Sequence, residues 1–165
     1  MVVIPADEFY AGLYRVIAAS GAFITDPADR VLLVKPNYRD HWGWPGGHVD
    51  DGEAPEAGCA REVKEELGLE LPVGRLLTVH WVPELTDRPY ALVHFMFDCG
   101  TLPNGDSIVL QEEELDAYGF FTAEQAAELL PPHLLERFTA SQRARRNSEC
   151  LYLSGGPQSR SASRP

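Results

Sequence analysis

Gly-His-Val-Asp-Asp-Gly-Glu-Ala-Pro-Glu-Ala-Gly-Cys-Ala-Arg-Glu-Val-Lys-Glu-Glu-Leu-Gly-Leu, residues 47–69, runs from a glycine-bearing loop into a short acidic stretch with helical spacing. Proline suits the first position of a helix and glycine the residue just past the last, so the helix is predicted to begin near Pro55 and to end before Gly68. At about 100° per residue, Glu62, Glu65 and Glu66 fall within one arc of roughly 100°. Ala57, Ala60, Val63 and Leu67 fall on the opposite side, with the stem of Lys64 at its margin. One face is expected to bury and the other to carry three carboxylates.

Glutamates spaced i, i+3 and i+4 are neighbours, and each like-charged pair destabilises a helix by a few tenths of a kcal/mol. In a cleft the repulsion grows as the effective dielectric falls. Two readings follow: the wet face of a surface helix, or a cluster gathered around a cation. An all-oxygen ligand set points to a hard divalent ion, Mg²⁺ or Mn²⁺, which keeps several waters and also binds phosphate oxygens.

The flanking residues favour the cation. Five residues separate Gly47 from Glu53, seven more lead to Arg61, and then comes Arg61-Glu62-Val63-Lys64-Glu65-Glu66-Leu67-Gly68-Leu69. This spacing resembles the signature of Nudix hydrolases at every fixed position, with aliphatic Val63 and Leu69 where that pattern asks for them. The resemblance implies an α/β fold, an α/β/α sandwich around a mixed β-sheet. It also implies metal-dependent hydrolysis of a phosphoanhydride in a nucleoside diphosphate linked to another moiety. By the same resemblance Glu65 and Glu66 are metal ligands, joined by the backbone carbonyl of Gly46. Glu62 is either a further ligand or the base that takes the proton of the attacking water. Arg61 and Glu53 form an ion pair that orients the glutamates, which places Arg61 beside Glu62 and Glu65 in the catalytic machinery. Asp50 stands where many relatives carry glutamate, so its reach is shorter.

Composition agrees with one such domain. A chain of 165 residues with 44% hydrophobic and 24% charged residues is of ordinary globular make-up and long enough for a real core. A formal net charge of −11 argues against a nucleic-acid or anionic-membrane surface, which is normally basic. A small nucleotide or diphosphate substrate held through metal ions needs no basic protein. Cys59, Cys99 and Cys150 show neither zinc nor disulfide spacing. With no signal-like start and no apolar run of membrane length, the cytoplasm is the expected compartment. A homodimer is the assembly that the resemblance suggests.

Along the chain, residues 1–12 read as an N-terminal arm, 13–147 as the domain and 154–165 as a disordered tail rich in Gly, Pro, Ser and Arg. Tyr14–Thr25 and Val31–Lys35 read as a hairpin across an Asp26-Pro27-Ala28-Asp29 turn. Tyr38, Arg39 and His41 lie in an aromatic approach loop, either exposed or lining the substrate mouth, while Trp42 and Trp44 are expected to pack beneath it. Strands are predicted over Leu71–Trp81 and Arg88–Asp98, with Val79, Trp81, Val93, Phe95 and Phe97 on the core face and His80 and His94 opposite. Trp81 is a candidate for stacking on a base. A turn at 103–106 and a short strand at 107–110 precede Glu112-Glu113-Glu114. That run is either a solvated turn or, as later loops in the family do, the source of one more acidic group for the metal; Glu114 is the choice. A strand over Asp116–Thr122 and two helices follow, the first with a Thr122/Gln125 capping box, the second ending in Arg143, Arg145 and Arg146, where positive charge suits the helix dipole.

Three functions fit: a pyrophosphohydrolase, a nucleotide-binding or regulatory module without turnover, and a reaction like prenyl diphosphate isomerisation. The intact Glu62, Glu65 and Glu66 favour the first.

Overall fold

The computed structural model describes residues 5–86, 88–103 and 107–156. An exposed helix, α1 (Ala6–Ala11), leads to β1 (Ile17–Thr25) and β2 (Val31–Pro36). Between the two strands Asp26 closes the turn on itself, accepting backbone N–H bonds from Ala28 and Arg30 and pairing with the Arg30 guanidinium at 2.6 Å. Then follow β3 (Gly46–His48), α2 (Pro55–Leu67), β4 (Leu76–Val82), β5 (Leu92–Thr101), β6 (Leu115–Phe121), α3 (Ala123–Leu129), α4 (Pro132–Asn147) and β7 (Leu151–Ser154).

Among the described residues the strands join one seven-stranded sheet in the order β6-β2-β1-β5-β4-β7, with β3 paired to β1. The β1–β5 and β4–β7 pairs are parallel and the others antiparallel. Side chains alternate between the two faces. Ala22, Ile24, Leu32 and Val34 pack on one side with Cys59, Val63 and Leu67 of α2. Phe23, Val31, Leu33 and Met96 pack on the other with Leu134 and Phe138 of α4. The result is the expected α/β/α sandwich, and a sheet covered on both faces explains why Val31-Leu32-Leu33-Val34 is uninterrupted by a polar residue. The N-terminal half of β1 pairs with β3 and its C-terminal end with β2, so the sheet parts between β2 and β3. A cleft opens there.

Several expectations are corrected. On α2 the buried residues are Gly58, Cys59, Val63, Glu66 and Leu67, while Ala57 and Ala60 face solvent. The helix is rotated because Gly58 packs against β1: a Cβ on it would stand 3.3 Å from Ser20 Oγ and 2.9 Å from Glu53 Oε2. Buried arc and acidic arc therefore overlap at Glu66. His80 is fully buried rather than on an open face, because α4 covers that side of β4. Residues 108–110 form no strand; Val109 N–H donates to the Leu67 carbonyl at 2.9 Å and Gln111 N–H to the Glu66 carbonyl at 3.1 Å, docking this segment on the end of α2. Leu151–Ser154 adds a parallel edge strand, and Gly155 N–H donates to the Trp81 carbonyl at 3.0 Å. Most of the turn placed at 103–106 and of the tail placed at 154–165 lies outside the described residues.

The arginines closing α4 serve the fold. Arg145 reaches Asp98 at 3.2 Å and Thr25 Oγ1 at 2.6 Å, and Arg143 pairs with Glu149 at 2.9 Å. Arg75, from the adjoining chain, donates to the Ala144 and Arg145 carbonyls at 3.0 and 2.7 Å, satisfying orphan acceptors at the helix end.

Candidate active site

Helix α2 starts at Pro55 and stops at Gly68, which takes the left-handed conformation that glycine tolerates best (φ 67°). It lays its acidic arc against β3. The Gly46 N–H donates to Glu66 Oε2 at 2.8 Å. A Cβ on Gly46, itself at φ 142°, would run into the Ser20 carbonyl of β1, and one on Gly47 would run into the Glu62 carboxylate. The two glycines thus let this backbone lie directly on β1 and on the Glu62 carboxylate.

Arg61 gathers the rest. Its Nε donates to Glu53 Oε1 at 3.1 Å and its Nη2 to Glu53 Oε2 at 3.2 Å and to the His48 carbonyl at 3.1 Å. Its Nη1 bridges Glu62 Oε1 at 2.9 Å and Glu65 Oε2 at 3.1 Å. Asp50 stands 3.6 Å from Arg61 Nε, and its N–H donates to Glu53 Oε2 at 3.1 Å. The Arg61 hydrogen bonds hold the Glu53 carboxyl below its ordinary range, and the carboxylates hold the Arg61 proton more tightly still.

The inner carboxylates behave in the opposite way. Burial pushes Glu66 up to about 8, with the charges of Glu62 and Glu114 adding to the effect and the Gly46 N–H opposing it. Glu62 is raised too, first by burial, with Arg61 opposing and Glu65 and Glu114 adding. Of the run 112–114, it is Glu114 whose charge bears on both. Its loop is held in place by Asn37, whose N–H donates to the Glu114 carbonyl at 2.9 Å and whose side chain donates to the Glu113 carbonyl at 2.7 Å. Glu65 is the most exposed of the three motif glutamates on α2.

A divalent ion suits these donors. Burial first, and then the neighbouring carboxylates, raise the proton affinity of Glu62 and Glu66, and a dication would favour their ionised forms instead. Among the described residues no three His, Cys, Asp or Glu side chains already form a ligand cage. Arg61 Nη1 stands between Glu62 and Glu65.

Beside this cluster lies a cleft of about 650 Å³, walled by Gly46, Gly47 and Glu66 at one end. Tyr38, Arg39 and His41 line it, with the Arg39 guanidinium 5.3 Å from the Tyr38 ring centre. Trp81 does not share this position: it is turned to the other face of β4 from His80 and Val82, and Val82 is the β4 residue on the cleft wall. Trp44 packs into the core against Phe138, and Trp42 sets its edge on Phe121 at 5.1 Å.

The NUDIX domain model matches residues 15–143. The chain belongs to the NUDIX family. Its residues 47–69 are that family's box, held in the structure as a loop, strand β3 and helix α2. Diphosphoinositol polyphosphate phosphohydrolase 2 of Rattus norvegicus is 40% identical over 77 residues, 46% of this chain and 43% of that protein. The CMP-5'-(N-acetyl-N-hydroxy-3-aminopropyl)phosphonate hydrolase of Streptomyces rubellomurinus is 33% identical over 128 residues, 71% of this chain and 58% of that protein. The chain thus spans less than two thirds of the length of these curated relatives. The crystal structure of a MutT protein from Methanosarcina mazei superposes with a TM-score of 0.69 at 25% identity, covering 81% of this chain and 97% of that one.

This NUDIX chain also builds part of its cleft from residues that sequence reading passed over. Arg137 of α4 is 5% exposed yet lines the cleft, with its guanidinium 5.7 Å from the Trp44 ring centre. Its Nε donates to His80 Nδ1 at 3.1 Å, which fixes the His80 tautomer so that Nε2–H donates to the Gly155 carbonyl at 2.7 Å. A signal was present: Leu134, Arg137, Phe138, Ser141 and Ala144 share the buried stripe of α4, and an arginine on such a stripe needs a reason.

Proposed function

We propose that this chain is a Mg²⁺-dependent hydrolase that opens the phosphoanhydride of a nucleoside diphosphate linked to another moiety. One observation carries the reading: Glu66 and Glu62 lie against the Gly46-Gly47 backbone, Arg61 joins Glu62 to Glu65, and Glu66 lines the cleft. Glu65, Glu66, Glu114 and the Gly46 peptide oxygen would hold the ion, with Glu62 shared between ligation and base. A bound dication neutralises phosphoryl oxygens and acidifies water, which is what opening a diphosphate demands. The chain itself supplies position and proton transfer. Glu62, half-buried with its proton affinity raised, accepts the proton of the attacking water. Arg61 fixes where Glu62 and Glu65 stand and is itself held by Glu53, support on which such sites depend. Tyr38, Arg39 and His41 border the bound substrate.

The names of the relatives support the class, since one is a phosphohydrolase of diphosphoinositol polyphosphates and another a hydrolase of a CMP-linked phosphonate. A reaction of the prenyl isomerase kind would need a cysteine at the cleft. Cys59 and Cys99 instead lie in the core with Sγ atoms 3.8 Å apart, where that contact and burial push the Cys59 thiol upward, and Cys150 follows α4.

The test is a panel of nucleoside triphosphates, nucleotide sugars and dinucleoside polyphosphates, assayed for phosphate and nucleotide release with Mg²⁺ and with EDTA. Release should need the metal and fall by at least about 10³-fold in the double variant Glu65→Gln, Glu66→Gln. Turnover that survives both substitutions overturns the assignment.

A further inference from the structure

On the α4 side of the sheet the cleft is walled by Trp44, His94, His133 and Arg137. Arg137 is buried, and among the described residues no carboxylate lies within ion-pair distance of it. The groups around it are not counter-charges. His80 receives its Nε–H, and burial and the Arg137 charge hold His80 and His133 down to about 4 and His94 well below its usual value, so all three imidazoles are neutral. Burial alone draws Arg137 down to about 9. The Trp44 face offsets part of that strain by a cation–π contact, but leaving one buried charge unpaired is costly.

A second observation points the same way. Trp44 walls the cleft and is 7% exposed, and its Nε1 is buried without a hydrogen-bond partner among the described residues; His94 Nδ1, also on the wall, shares this state. An indole N–H and a guanidinium can only donate, so their partner must be an acceptor. Among the described residues the wall carries Arg39, Arg88 and Arg137 against Glu66 as its carboxylate, in a chain whose net charge is −11. Trp44 is two residues from Gly46, about 7 Å of extended chain, so one small substrate can touch both ends.

We propose that Arg137, with Trp44 Nε1, forms a subsite for a second anionic group, a phosphate or carboxylate carried by the substrate outside its scissile diphosphate. This rests on the diphosphate reading above. The planar fork of Arg137, steadied by His80 and Trp44, suits two parallel hydrogen bonds to such a group. The enzyme then selects diphosphates that bear an additional negative charge.

Matched substrates test it on the wild-type protein with Mg²⁺: UDP-glucuronate against UDP-glucose for a carboxylate, and NADPH against NADH for a phosphate. The charged member of at least one pair should be preferred by about 10–100-fold in kcat/KM, mostly through KM. Arg137→Lys, which keeps the charge and loses the fork, should shrink that ratio without equal loss on the uncharged member. Separately, metal-free protein is titrated with inorganic phosphate and followed by calorimetry. Binding should be seen in wild type, weaken in Arg137→Lys and persist in Arg143→Met, a surface control on the same helix. Equal rates within both pairs, or no phosphate binding by metal-free wild type, overturns the subsite. Phosphate binding without hydrolysis of any diphosphate sinks the hydrolase reading and leaves the subsite standing.

Discussion

The two ends of the cleft are assembled in contrasting ways. The acidic end comes from one short stretch of chain, in which Gly47, Glu53, Arg61, Glu62 and Glu66 are brought together by a loop and a helix of 13 residues. The basic end takes Trp44 from the approach loop, His94 from β5, and His133 and Arg137 from α4, with His80 of β4 bonded behind Arg137. At the acidic end local geometry places the groups, whereas at the other end only the packing of α4 on the sheet does. The acidic end is also tied together by its own arginine, while the basic end holds an arginine with no acid to answer it among the described residues.

The sharpest blow to the acidic end is Gly47→Ala. The new methyl collides with the Glu62 carboxylate, and a displacement of about 1 Å in a catalytic group costs about 10²-fold. Activity should fall by that order while circular dichroism stays native. Gly47→Ala with full turnover would show that Glu62 need not sit where it does. Arg61→Lys is next: the lysine keeps a charge but cannot serve Glu53, Glu62 and Glu65 together. Metal affinity or turnover should drop about 10–100-fold, as for other supporting residues, read by Mg²⁺ titration of activity.

The two ends should also answer pH with opposite sign. The folded pKa of Glu66 is raised to about 8, so the metal-free fold is favoured while the group is protonated and loses that advantage as pH rises towards 8. His80 and His133 are lowered to about 4, so their part of the stability is lost as pH falls from about 6.5 towards 4. Urea midpoints across pH 4–8 measure both limbs. Glu66→Gln should flatten the decline above pH 6.5, and added Mg²⁺ should do the same. The smallest effect is expected away from the cleft altogether. Thr122 Oγ1 accepts the Gln125 N–H and the Gln125 side chain returns the bond to Thr122 N–H, so Thr122→Ala should cost about 1 kcal/mol of stability with kcat/KM unchanged.

Much of the acidic end was legible in the residues. Pro55 and Gly68 bounded α2 where the structure bounds it, because both act through backbone sterics that need no neighbour. The Asp26–Asp29 turn and the Thr122 cap were legible for the same reason. Legibility failed where a second surface decided the outcome. Ala57 and Ala60 looked buried by periodicity, yet Gly58 against Ser20 rotates the helix and carries Glu66 inward. Residues 108–110 looked like a strand until α2 offered its terminal carbonyls. Leu151–Ser154 is too short to declare itself and becomes a strand by pairing with β4.

The sequence alone determined which chemistry this chain carries, since fixed spacing along one helix and its loop places carboxylates, an arginine and glycines within reach of one another by local geometry. The tertiary structure decided which carboxylate is buried, which loop glutamate bears on it and what faces it across the cleft. Those depend on contacts between segments as far apart as Phe23 and Phe138, and the burial of a charge is a property of everything packed around it, not of its position in a motif.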